Sequence, residues 1–176
     1  MVGPQGIFGR SGQRLRAALP SRRELLLGTP IWGLLMAASA LIALLLREVG
    51  ATFQLTKILT LYFAGGVIAW PFSIFIGRFC ALGRSVETRF AAYFLCFTVL
   101  TIASTTLLFA LHYRLFFEQW HAPFGTRIWV YQFVFTSASA SYQFVVMGVR
   151  LYLPFGLAAL VVASLWLAMR PHDMQR

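Results

Sequence analysis

The sequence predicts an all-α fold, a polytopic transmembrane bundle of four to five helices, on three observations. Apolar runs of membrane-spanning length recur along the chain. Charged residues make up only 11% of it, where soluble domains carry roughly a quarter. The charges that remain gather between the apolar runs. With 176 residues there is room for one such domain and none for a separate soluble enzyme domain.

Residues 1–24 read as a basic cytoplasmic arm carrying Arg10, Arg14, Arg16, Arg22 and Arg23, part of which ("RLRAAL") suits a short helix on lipid headgroups. The transmembrane domain follows over 25–170. Its first helix, about 25–46, resembles a signal peptide, with paired arginines ahead of it and Ala38-Ser39-Ala40 within it. The apolar run continues to Leu46, however, past the length of a typical signal core, so it reads as an uncleaved helix with Pro30 near its start. The second helix, about 55–77, contains Gly65-Gly66, which allows close helix approach, and Pro71, which predicts a kink. The third spans about 90–111. An aromatic loop with Pro123 and Gly125 leads to a fourth apolar segment, about 128–149, and a fifth, about 151–169; residues 171–176 form a tail.

The net charge of +10 would suggest nucleic acid in a soluble chain. Here the arginines flank apolar segments, so they read as topology signals and as partners of anionic membrane lipids, not of nucleic acid. Five arginines in the arm and three in the 78–89 loop oppose Arg47, Lys57, Arg114 and Arg127, which places the N-terminus in the cytoplasm, most naturally of a bacterial inner membrane. The length of 128–149 favours a span and thus five apolar helices, with the tail on the opposite side. The alternative is a re-entrant or interfacial 128–149, four spans, and a tail on the N-terminal side.

That fourth segment is unusually polar. On a helix Gln132, Thr136, Ser139 and Gln143 fall at i, i+4, i+7 and i+11, with Arg150 on the same line, so they predict one stripe turned away from lipid. An amide facing hydrocarbon costs several kcal/mol. Two outcomes satisfy the stripe: hydrogen bonds to neighbouring helices, or a wetted groove for a polar headgroup closed by Arg150.

Chemistry of other kinds is sparse. No acid lies mid-helix, which speaks against a carboxylate proton relay. His112 and His121 read as outer-loop residues and His172 as tail, so no helix-held haem is expected; Glu118-x-x-His121 is a single copy of a spacing that di-iron bundles need twice. Cys80 and Cys96 read as small buried apolar residues. No nucleophilic triad, Walker loop or zinc motif is present, so no catalytic residue, cofactor or metal is assigned.

"FAGGVIAWPFSIFIGRF" (63–79), "TRFAAYF" (88–94) and "SYQFVVMGVRLY" (141–152) resemble the GtrA-like family of small polytopic membrane proteins, in which an apolar helix ends in a polar residue and a basic residue with aromatics. The departures are Gly77 and Gly148 where the family usually has Asn, and the additional segment 151–169. The resemblance implies a non-enzymatic helper in moving a polyprenyl-phosphate sugar for cell-surface polysaccharide. Ser73, Arg78, Gln143 and Arg150 would then contact the headgroup. The competing reading is an accessory subunit of a multi-chain transporter or other membrane complex, with a protein partner in the membrane or a second copy of the chain.

Overall fold

The computed structural model describes residues 15, 18–47 and 54–170, so most of the basic arm, the loop residues 48–53 and the tail 171–176 lie outside the described residues. Every regular element among the described residues is helical. Helix α1 (Arg22–Leu45) begins at a capping box: Glu24 N–H donates to Ser21 Oγ at 3.3 Å, and Ser21 N–H donates to the Glu24 carboxylate at 2.9 Å. Its buried residues Gly28, Trp32, Met36, Ser39, Ala40 and Ala43 form one stripe at helical spacing.

That stripe packs on α2 (Leu55–Ala81), and small residues set the distance. A Cβ on Gly66 would lie 2.9 Å from the Cα of Gly33, so the two backbones touch there. A Cβ on Gly65 would strike the Thr105 side chain of the next helix. Helix α2 runs through Pro71 without a break. A turn at Gly83, with φ +72°, leads into α3 (Val86–Phe117). At 32 residues α3 is about 48 Å long, well beyond a hydrocarbon core of about 30 Å. The expected loop "HYRLFF" is therefore its last two turns, and His112 sits in the helix and not in a loop. Cys80 is exposed, contrary to the buried reading, while Cys96 is partly buried.

A short 3-10 turn (Glu118–Trp120) and Gly125, at φ +85°, lead to α4 (Arg127–Gln143). Thr126 caps it by accepting from Trp129 N–H at 3.1 Å. Beyond Gln143 the helix loosens into a π turn (Phe144–Gly148) and tightens into a 3-10 turn (Val149–Tyr152). After Leu153–Pro154 it resumes as α5 (Phe155–Met169), bent by 75°.

Helices α1, α2 and α3 are each long and apolar enough to cross a bilayer, and the bent pair α4–α5 passes the same test as a unit. The ends decide how to count that pair. Arg170, just after α5, reaches Glu24 at 3.4 Å, and Arg89 at the start of α3 donates to the Arg170 carbonyl at 2.6 Å. The end of α5 therefore lies beside the start of α1. Helices α4 and α5 together thus return the chain from the far end of α3 to its start, which matches the alternative of four spans more closely than a separate span at 128–149. The bundle proper is a ring of α1, α2, α3 and α5, with α4 resting on α3 outside it. Its core is aromatic: Trp32, Trp70 and Phe97 meet at centroid distances of 5.0–5.9 Å, and Tyr62 packs on Tyr152 at 4.9 Å and Phe144 at 6.0 Å.

Candidate functional site

Irregular backbone in an apolar bundle needs internal partners, because lipid offers none. The α4–α5 break obtains them from three helices. Tyr62 of α2 donates its hydroxyl to the Gly148 carbonyl at 2.5 Å. Ser39 of α1 donates to the Leu151 carbonyl at 3.1 Å and accepts from Gly156 N–H at 2.9 Å, so one hydroxyl bridges both sides of the break. Tyr152 meets Thr105 of α3 at 2.7 Å. Protein donors thus engage the Gly148 and Leu151 carbonyls, which in unwound transporter helices are the groups that face a cation.

The residues singled out in the sequence do not converge. Ser73 is buried and donates to the Cys96 carbonyl at 3.4 Å, as helix glue. Arg78 is ion-paired with Glu24, which Arg170 also approaches. Arg150 is exposed at the other end of the bundle, where its carbonyl accepts from Arg47 at 3.4 Å. Gln132 accepts from Ala122 N–H at 2.8 Å and Thr136 lies 3.5 Å from His121, so both brace the preceding loop. Ser139 and Gln143 are exposed.

The inward face of α4 is instead Phe133, Ser137, Ala140, Ser141 and Phe144, the same spacing displaced by one residue. The displacement has a cause. Burying a Phe contributes about 1.5–3 kcal/mol. Turning Phe133 and Phe144 toward α3 therefore outweighs turning the amides inward when loop groups and the surface can satisfy them.

Between that face and α3 runs a groove of about 460 Å³, lined by Ala103, Thr106, Leu107, Ala110, Leu111, Arg114, Phe133, Ser137 and Ser141. Its walls are apolar. Thr106 and Ser141 donate their hydroxyl hydrogens to Ile102 and Ser137 carbonyls, both at 2.7–2.8 Å, which leaves their oxygens able to accept. Arg114 stands at one end of the groove, with its guanidinium 4.2 Å from the Phe133 ring centroid and 5.2 Å from that of Trp129. Among the described residues no carboxylate pairs with it. A half-buried guanidinium over two rings, with no hydrogen-bond acceptor for its N–H groups among the described residues, has donors able to bind an anion. Arg114 lies eight positions beyond Thr106 on α3, about 12 Å along the helix, so charge, hydroxyls and apolar wall succeed one another down the groove.

Sequence reasoning counted Arg114 as a topology signal. The one available clue was its aromatic setting, "HYRLFF"; its partners Trp129 and Phe133 approach only once the hairpin has formed. No family model matches this chain, and neither does any curated protein or solved structure.

Proposed function

We propose that this chain is a non-enzymatic integral membrane protein that holds an anionic amphiphile in the α3–α4 groove and assists the movement of a polyprenyl-linked sugar. The groove carries the reading: an apolar cleft beside the bundle, hydroxyls along it, and at its end a cation that no carboxylate pairs among the described residues. A phosphate on Arg114 would gain charge-assisted hydrogen bonds, while an isoprenoid chain lies against Leu107, Ala110 and Leu111. The headgroup role that the GtrA-like resemblance gave to Arg78 passes to Arg114, because Glu24 already engages Arg78. The proposed orientation has the Glu24 end in the cytoplasm of a bacterial inner membrane. The sequence count of eight basic residues against four supports it, with Arg170 now added on that side and Arg150 on the other.

The test is surface-glycan export in cells carrying Arg114→Gln, with Arg84→Gln as a control and membrane insertion verified for both. Export should fail in the first variant only. Normal glycan with correctly inserted Arg114→Gln would remove the reading.

A second reading, an accessory subunit of a membrane complex, is favoured by the outer face of α4. Ser139, Tyr142 and Gln143 are exposed there, and polar groups of this kind bond across helix–helix contacts. It requires co-purification with a larger membrane partner in mild detergent, lost on Gln143→Leu.

A further inference from the structure

A second cavity, open on one side, lies on the other side of the α4–α5 break between α1, α3 and α5, with a volume of about 160 Å³. Trp32 and Met36 of α1 and Phe97 of α3 form its inner wall, all buried. Val149, Tyr152 and Leu153 of the break close one end, and Leu157 and Leu160 of α5 line the side.

Few polar groups border it, and each already makes a bond within the protein. Trp32 Nε1–H donates to Thr101 Oγ1 at 3.1 Å, Thr98 donates to the Phe94 carbonyl at 2.7 Å, and the Tyr152 hydroxyl pairs with Thr105. A water there would lack the two to four partners that a buried water needs. The exposed members of the lining are Leu153 and Leu157, with Thr98 and Ile102 half-buried, so the mouth opens at the seam between α3 and α5. Those positions lie midway along α3, at hydrocarbon depth.

We infer that this cavity takes part of a hydrocarbon chain of a bilayer lipid, inserted sideways through the α3–α5 seam. Size, dryness and position choose the occupant. A dry apolar cavity of about 150 Å³ binds benzene or xenon, so one of this size holds a short stretch of chain and excludes a helix. Hydrocarbon is the solvent at the mouth, and a void there would forfeit dispersion contacts along Trp32, Met36 and Phe97. The inference does not depend on the α3–α4 groove, and either site can fail without the other.

The cavity contains its own reporter, because Trp32 forms a wall but is only 1% exposed. Trp120, Trp129 and Trp166 would be replaced by Phe, leaving the core pair Trp32 and Trp70. The full-length protein would then be placed in vesicles of phosphatidylcholine brominated at mid-chain. An occupied cavity gives bromine quenching of the core emission that is lost in the filled variants Ile102→Phe and Leu157→Phe, each introduced separately. Because either variant could unfold, the unfilled protein is also compared in lipid brominated at mid-chain and close to the headgroup, and treated with acrylamide. The inference requires stronger quenching at mid-chain and none by acrylamide. Equal quenching at both chain positions, quenching unchanged in correctly folded filled variants, or quenching by acrylamide would each overturn it.

Discussion

The two ends of the bundle use arginine in opposite ways. At one end Arg78 and Arg170 converge on the single carboxylate of Glu24, and Arg89 donates to the last carbonyls of α5, so charge ties together the ends of α1, α2 and α5 and the start of α3. At the other end Arg114 lies on two aromatic rings with no carboxylate among the described residues. The residue type and its place near a helix end are shared; what differs is whether an acid was supplied. A closed ion cluster is architecture, whereas a guanidinium without a carboxylate beside an apolar groove carries the binding role proposed above.

The largest expected effect comes from removing the acid. Glu24→Gln leaves two arginines facing one another, Arg78 among them with only 15% of its side chain exposed, and should lower stability by about 3 kcal/mol, read as reduced thermal stability in detergent. If the loss is negligible, the closed cluster is incidental. Next is Ser39→Ala, which strands the Leu151 carbonyl and Gly156 N–H at the break and should cost about 2 kcal/mol. Arg170→Gln removes a half-exposed arm of the cluster and should cost less than about 1 kcal/mol by the same assay. Arg114→Gln should also change stability little, by about 0.5–1 kcal/mol from the lost ring contacts, while affecting ligand binding most.

The same contrast describes what could be read from the chain. Hydropathy located α1, α2 and α3, because crossing a bilayer is a property of a segment by itself. The close approach at Gly65-Gly66 was likewise local, set by the absence of side chains, whereas the first helix begins at Arg22 and not at 25 because Ser21 and Glu24 form a capping box. The α4–α5 break was not local. It is stabilised by Ser39 and Tyr62, 112 and 86 residues away from the carbonyls they bond, and a serine inside "AASA" announces nothing of the kind. The face of α4 was misread by one residue because two competing stripes have the same spacing. Only the packing of Phe133 and Phe144 on α3 chooses between them. Arg114 was invisible for a related reason: its setting lies in Phe133 and Trp129, across a loop, and in the lack of a paired acid among the described residues.

The difference between Arg78 and Arg114 is tested most directly by labelling with a photoactivatable polyprenyl phosphate in proteoliposomes, comparing the unaltered protein with Arg78→Gln and Arg114→Gln. The expected result is labelling of α3 and α4 that persists in correctly folded Arg78→Gln and falls about tenfold in Arg114→Gln, the loss of roughly one charge-assisted contact. Equal labelling of all three proteins, or labelling centred on the Glu24 end, would contradict the assignment.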